Sequence, residues 1–129
     1  MFRIFPIILF FIASCNFNNT SQINFIDDFE IYDFEDYEYL LVDLRTAEEF
    51  SSGFIKNAVN IDYYSEKFRP KILSLKKDQT IFLYCKTDNR SINTAKLLLE
   101  NGFVDVNVIE GGITSWVNRG NDLVYFIID

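Results

Sequence analysis

A single cysteine in the middle of the chain stands where a strand would end and a helix begin. The apolar run 80–84 leads into Cys85, and a short polar loop and then a helical pattern follow it. In such a place the loop N–H groups and the helix N-terminus direct positive charge at the sulfur, which favours the nucleophilic thiolate. The pattern predicts either a reactive cysteine in an anion-binding loop or a buried structural cysteine. The loop residues are Lys86, Thr87, Asp88, Asn89, Arg90 and Ser91.

Composition excludes several classes of function. With 129 residues the chain has room for one domain with one core. Its net charge of −7 argues against a nucleic-acid partner, because a phosphate backbone requires clustered Lys and Arg. The absence of histidine excludes Cys-His and Ser-His nucleophilic pairs and histidine metal sites. Two cysteines are too few for a four-ligand zinc site, so we expect neither a metal nor another cofactor.

The N-terminus has the features of a targeting segment. Arg3 precedes the apolar stretch 4–12, which is too short to span a bilayer as an ordinary helix. The stretch leads into Ala13-Ser14-Cys15, and the polar run 16–22 follows. This pattern is similar to a bacterial lipoprotein signal, which implies cleavage before Cys15 and acylation of its sulfur. A plain secretory signal or an uncleaved anchor is the alternative.

These features predict the organisation of the chain. Residues 1–14 would be the lipoprotein signal peptide, residues 15–24 the acylated cysteine and a flexible tether, and residues 25–129 the domain. The lipid would hold the protein in the bacterial cell envelope, outside the cytoplasmic membrane or in the periplasm or outer membrane. If Cys15 is acylated, Cys85 is the only free thiol. An unpaired cysteine in an exported protein risks oxidation unless it is buried or functional, which favours a function for Cys85.

Strand and helix patterns alternate along the rest of the chain. The predicted strands are residues 39–43, 58–61, 80–84 and 104–109. The predicted helices begin at Thr46, cover residues 65–75 with an interruption at Pro70, cover residues 91–101 before Gly102, and follow the turn Gly111-Gly112 around Trp116. This alternation predicts an α/β fold with a mostly parallel sheet and helices on both faces. The site would lie at the carboxyl ends of the strands.

Seven short motifs in this order resemble a single-domain rhodanese over about residues 38–120. They are Leu41-Val42-Asp43-Leu44-Arg45, Glu48-Glu49-Phe50, Gly53-Phe54-Ile55, Ala58-Val59-Asn60-Ile61, the loop from Cys85 to Arg90, Gly102-Phe103, and Glu110-Gly111-Gly112-Ile113 with Trp116. The resemblance implies a rhodanese-like fold and sulfurtransferase activity. Cys85 would take sulfur from a small donor as a persulfide and pass it to a thiol or protein acceptor. Arg90 and the amides from Lys86 to Ser91 match the cradle for the donor's anionic end.

Loop length and three departures from the family pattern refine this expectation. Four residues separate Cys85 from Arg90, as in rhodaneses, whereas phosphatases of this fold have one residue more. Asp88 replaces a usual glycine, and its carboxylate would oppose a thiolate and repel anionic donors unless it points outward. Asn57 replaces another glycine and can adopt the left-handed conformation. Phe54 replaces a histidine and is expected only to pack.

Other residues have structural interpretations. We expect Asp43 and Arg45 to form an ion pair, Trp116 to lie in the core, and Glu48 and Glu49 to favour a helix start by their charge. The alternatives to a sulfurtransferase are a non-catalytic rhodanese-like binding module and, with less support, a phosphatase or arsenate reductase. We expect a monomer.

Overall fold

The computed structural model describes residues 22–27 and 38–127. Strands and helices alternate along them, as the hydrophobic patterns predict. In chain order the elements are β1 (Asn24–Ile26), β2 (Tyr39–Asp43), α1 (Ala47–Ser51), β3 (Val59–Asn60), α2 (Phe68–Leu73), β4 (Thr80–Tyr84), α3 (Asn89–Glu100), β5 (Val106–Ile109) and α4 (Gly112–Asn118).

The strands form one five-stranded sheet in the order β1-β5-β4-β2-β3, and every neighbouring pair is parallel. The predicted α/β fold is therefore confirmed. Asp43 and Tyr84 are register partners at the carboxyl ends of β2 and β4. The motif that contains Asp43 and Arg45 therefore lies beside the start of the cysteine loop. Functional sites of open α/β sheets lie at this edge.

Alternate residues of the central strand β4 face two separate layers. Ile81 and Leu83 belong to a buried cluster that includes Ile72 of α2 and Leu98 of α3. Phe82 and Tyr84 belong to a second cluster, which includes Ile113 of α4 and packs against Phe50 of α1. Because successive side chains of a strand point to opposite faces, the helices cover both faces of the sheet.

Strand β1 was not predicted from the sequence. Its three residues pair with β5, with Asn24 opposite Asn107 and Ile26 opposite Ile109, and Ile23 packs against the core. Asn24, assigned to the tether by the sequence, thus lies in the sheet. Three residues are too few to show a period, so the strand exists only through its pairing with β5.

The predictions for two helices are partly wrong: α2 is shorter than the predicted residues 65–75 and is not interrupted, and α3 begins early. Helix α2 continues through Pro70, which is its third residue, because an N–H in the first turn has no intrahelical acceptor to lose. Helix α3 begins at Asn89, two residues earlier than predicted, with Asp88 as its N-cap residue. The loop that follows Cys85 is therefore shorter than the sequence suggests, and Arg90 and Ser91 lie in a helical turn.

The segment after α4 packs back onto the start of the domain. Val124 exchanges two backbone hydrogen bonds with Phe54, at 3.0 and 2.8 Å. The ring of Phe54 stacks on Phe50, with centroids 4.2 Å apart, and lies 5.0 Å from Phe126. The expectation that Phe54 packs is thereby confirmed, and Asn57 adopts the expected left-handed conformation with φ 70°.

No helix in the described ranges 22–27 and 38–127 is long and apolar enough to cross a membrane. The predicted signal peptide, Cys15 and most of the predicted tether lie outside these residues.

Candidate active site

Cys85 follows the last residue of β4 and begins the loop into α3. It belongs to a buried core cluster, and the residue is 1% exposed. Among the residues that the structure describes, none accepts a hydrogen bond from the backbone N–H groups of residues 86–91. Free N–H groups in a tight loop and in the first turn of a helix are an anion-binding arrangement. A run of unpaired N–H groups thus lies next to the cysteine, at the residues that the sequence predicted as a cradle.

Helix α4 holds the carbonyl side of this loop. The N–H of Ile113 donates to the carbonyl O of Cys85 at 2.9 Å, and the N–H of Thr114 donates to that of Lys86 at 3.1 Å. Gly112, with φ 57°, lies so close that a Cβ on it would clash with the carbonyl O of Cys85 and of Thr87. Helix α4 therefore fixes the loop through two of its carbonyl groups, while the N–H groups of the loop have no partner among the described residues.

Asp88 is tied to the same end of α4. Its Oδ1 accepts a hydrogen bond from the N–H of Gly111 at 2.8 Å. The backbone of Asp88 has φ −130°, which a residue with a side chain adopts without strain, so the position does not require glycine. Its side chain makes no capping bond to α3. The carboxylate therefore fixes the loop to Gly111.

The hydroxyl of Ser91 lies beside the sulfur. Cys85 Sγ donates to Ser91 Oγ at 3.6 Å, and Ser91 Oγ donates to the carbonyl O of Asp88 at 3.0 Å. Ser91 is fully buried. The sequence predicted only the amide of Ser91 as part of the cradle. The hydroxyl contact was missed because the predicted start of α3 left the direction of this side chain open.

Arg90 is engaged by an acidic residue from a different helix. Its Nη1 lies 3.1 Å from Glu49 Oε2 and 3.4 Å from Glu49 Oε1, and its guanidinium stands 5.6 Å from the centroid of the Tyr64 ring. Glu49 Oε2 is shielded from solvent and accepts no hydrogen bond from the described residues. The sequence predicted Arg90 as an anion-binding residue, but it assigned Glu49 only to the helix start and did not single out Tyr64. The structure adds both to the site.

The ion pair predicted between Asp43 and Arg45 is confirmed, and Arg45 also binds the turn that follows α1. Arg45 Nη2 lies 2.7 Å from Asp43 Oδ2 and donates to the carbonyl O of Gly53 at 2.7 Å. Burial lowers the pKa of Arg45, but the hydrogen bond and charge of Asp43 outweigh it, and the pKa rises above its ordinary value. Burial, followed by the negative charge of Asp43, raises the pKa of Tyr84 well above 10. Its hydroxyl accepts from the N–H of Ile55 at 3.1 Å.

A cavity of about 460 Å³ adjoins the loop. Arg45, Glu49 and Lys86 contribute charged groups to it, and the apolar side chains on its wall are Ile113, Val117 and Leu123. Leu123 comes from the segment after α4. This segment is held in place by the bridge at Val124, and by Trp116 Nε1, which donates to the carbonyl O of Asp122 at 2.9 Å. The cavity provides room for a molecule larger than a small inorganic anion.

The remaining sequence expectations have mixed outcomes. Trp116 packs against the core cluster that contains Tyr84, as expected, although it is only partly buried. Glu48 is exposed on α1 and takes no part in the site, whereas Glu49 does. Across residues 22–27 and 38–127 no group of three or more His, Cys, Asp or Glu side chains could hold a metal ion.

Comparison with known proteins agrees with this geometry. The family of rhodanese-like domains matches residues 32–119. A sulfurtransferase from Allochromatium vinosum is 32% identical over 87 residues, which are 67% of this chain and 79% of the relative. A putative sulfurtransferase from Bacillus subtilis is 40% identical over 81 residues, which are 63% of this chain and 76% of the relative.

Other relatives are longer, and the match spans only 23% of a probable molybdopterin-synthase adenylyltransferase from Porphyra purpurea. Among solved structures, a rhodanese-related protein from Thermoplasma volcanium superimposes with a TM-score of 0.66 at 31% identity. That alignment covers 78% of this chain and 97% of the other. The matched residues contain the whole cysteine loop and the α4 segment that holds it, and the chain belongs to the family of rhodanese-like domains.

Proposed function

We propose that the protein is a rhodanese-type sulfurtransferase in which Cys85 carries the transferred sulfur as a persulfide. The observation that carries this proposal is the placement of Cys85 at the start of a loop whose N–H groups, at residues 86–91, have no acceptor among the described residues. Two relatives that are named sulfurtransferases support the same chemistry, and this chain matches most of the length of each.

The reaction has two displacement steps. The Cys85 thiolate attacks the sulfane sulfur of a small donor, so that a new S–S bond forms and the donor's bond to that sulfur breaks. The leaving group departs with the electron pair of the broken bond. An acceptor thiolate, on a small molecule or a protein, then attacks the outer sulfur and releases the Cys85 thiolate. The free N–H groups of the loop would stabilise negative charge on the outer sulfur in both steps.

The length of the loop favours sulfur over phosphate chemistry. Four residues lie between Cys85 and Arg90, and α3 already begins at Asn89. This spacing resembles that of rhodaneses, whereas the phosphatases and arsenate reductases of the fold would need a wider loop. Phosphate release or arsenate turnover by the purified protein would contradict the proposal.

A non-catalytic rhodanese-like binding module is the second candidate. Two observations favour it: Cys85 is 1% exposed, and the guanidinium of Arg90 is already paired with Glu49. A binding module would leave Cys85 unreactive, so the two candidates differ in whether the sulfur atom can be loaded.

Intact mass after incubation with a sulfane sulfur donor separates the two. We expect a gain of one sulfur atom in the wild type, no gain in Cys85→Ser, and an unchanged gain in Cys15→Ser, the matched control for removal of a cysteine. The fold should persist in Cys85→Ser, because oxygen replaces sulfur at nearly the same size. Sulfur loading that survives in Cys85→Ser would refute the assignment, and no loading in the wild type would favour the binding module.

We also propose that residues 1–14 are a lipoprotein signal peptide and that acylated Cys15 anchors the domain in a bacterial cell envelope. The support is the sequence pattern, in which an apolar stretch leads into Ala13-Ser14-Cys15. The anchored domain would act as a monomer, and its sulfur donor and acceptor would reach it outside the cytoplasm.

A further inference from the structure

The charge of the cysteine loop is balanced by residues from outside it. Arg90, the loop cation that would meet a donor's anionic end, lies 3.1 Å from a carboxylate oxygen of Glu49. The contact joins two residues that are 41 positions apart in the chain. An opposite charge at this distance cancels much of the attraction that Arg90 exerts on a second anion.

The formal charges of the side chains around the loop sum to zero. The loop also carries Lys86, which forms no ion pair with a described residue, and the carboxylate of Asp88. Arg45, on the cavity wall, is paired with Asp43. The loop, its partner Glu49 and the ion pair on the cavity wall therefore comprise three cations and three anions. They are Arg45, Lys86, Arg90, Asp43, Glu49 and Asp88. With a net charge of −7 on the whole chain, long-range steering of a dianion is also unfavourable.

The residues that line the adjoining cavity suit the carbon skeleton of an organic donor. Ile113, Val117 and Leu123 line it, and Lys86 forms no ion pair with any described residue. An apolar wall next to one free cation accommodates a carbon skeleton with at most one negative charge. A compact dianion would gain little from this wall.

We propose that the favoured donor is an organic persulfide, R–S–SH, and that Glu49 is a specificity-determining residue which disfavours thiosulfate. The proposal rests on the sulfurtransferase function and names the donor class of the same site. The Cys85 thiolate attacks the outer sulfur of R–S–SH; the Cys85 S–S bond forms, the bond between the two donor sulfurs breaks, and R–S⁻ leaves. One negative charge is present before and after this step. With thiosulfate the same displacement releases sulfite and places three negative charges at the loop.

The experiment compares the rates of sulfur loading from two donors. Loading of Cys85 is followed by intact mass with thiosulfate and with the persulfide of N-acetylcysteine methyl ester, whose organic body is neutral. We expect faster loading from the persulfide in the wild type. Glu49→Gln removes the charge but keeps the backbone N–H that Thr46 caps, so α1 should persist. We expect it to raise the thiosulfate rate about tenfold and to change the persulfide rate less than about twofold.

Glu48→Gln is the matched control, because it removes the same charge from the exposed neighbouring position of α1. We expect it to leave the ratio of the two rates unchanged. Thermal unfolding of both variants verifies the fold, and a purely structural role for Glu49 would lower both rates together.

The outcomes are distinct. If neither donor loads the wild type, the sulfurtransferase function itself is wrong. If both donors load it but Glu49→Gln leaves their ratio unchanged, or Glu48→Gln shifts the ratio equally, the function stands and the role of Glu49 is overturned. Should Glu49→Gln fail to fold, wild-type loading from thiosulfate as fast as from the persulfide would by itself overturn the proposed selectivity.

Discussion

The carboxylate of Asp88 accepts a hydrogen bond from the backbone N–H of Gly111 at 2.8 Å and so joins the cysteine loop to the N-cap residue of α4. Asp88 stands where the family pattern has glycine, yet its φ of −130° shows that the loop does not depend on glycine's conformational freedom here. The substitution therefore has two separable effects, a negative charge close to the loop and a contact that holds the loop in place.

Substitutions at Asp88 can separate these effects. Asp88→Asn removes the charge and keeps an acceptor oxygen for the N–H of Gly111, so we expect faster alkylation of Cys85 by iodoacetamide near neutral pH with little loss of stability. Asp88→Gly removes both the charge and the acceptor. We expect it to lower the free energy of unfolding by about 1.5–3 kcal/mol, the range for a hydrogen bond to a charged group. Alkylation rates and urea unfolding of the wild type, Asp88→Asn and Asp88→Gly separate the effect of the charge from that of the contact. Equal alkylation in wild type and Asp88→Asn would show that the carboxylate does not restrain the thiolate.

Two glycines with left-handed backbones form a matched pair. A Cβ on Gly112 would meet the carbonyl groups of the cysteine loop, whereas a Cβ on Gly120 would meet no atom of the described residues within 4 Å. Both Gly→Ala variants should incur backbone strain of about 1–2 kcal/mol. Only Gly112→Ala should lose further stability and slow sulfur loading of Cys85, because the loop must shift to admit the methyl group. Urea unfolding and intact mass measure both; equal effects at the two positions would contradict the close packing of α4 on the loop.

The buried phenol of Tyr84 makes stability depend on alkaline pH. Because the folded pKa of Tyr84 is raised above 10, the unfolded chain loses this proton first as the pH rises. The stabilisation is complete below about pH 10 and falls above it by about 1.4 kcal/mol per pH unit, until the folded pKa is reached. Tyr84→Phe should be less stable at neutral pH, since Ile55 loses its acceptor, but its free energy of unfolding should fall less steeply above pH 10. Parallel slopes for the two proteins between pH 9 and 11 would contradict the burial of a neutral phenol.

Substitution of Cys15 tests the proposed anchor. Stable attachment to a bilayer requires two or more acyl chains, which lipoprotein processing would supply at this residue. In a bacterial host we expect Cys15→Ser to leave the protein unprocessed or to release it from the membrane fraction, while Cys85→Ser behaves like the wild type. Fractionation, together with metabolic labelling by a fatty acid, reports both properties. A Cys15→Ser protein that still carries lipid and stays with the membrane would exclude the anchor.

Local patterns in the sequence determined most of the fold. The apolar run 80–84, the polar loop after it and the helical period beyond describe a strand, a turn and a helix, and the structure has all three. The sequence alone also indicated the spacing of Cys85 and Arg90 and the nearby pair of Asp43 and Arg45. Strand and helix periods repeat over a few residues, so a short stretch of chain carries the whole signal.

Only the tertiary structure decided how the site is charged and held. Arg90 meets Glu49 across 41 positions and Asp88 meets Gly111 across 23, and neither contact has a local pattern. Strand β1 exists because β5 offers an edge, and Leu123 reaches the cavity because Val124 pairs with Phe54. Such contacts depend on which surfaces the packed sheet and helices bring together, and a one-dimensional period does not encode that arrangement.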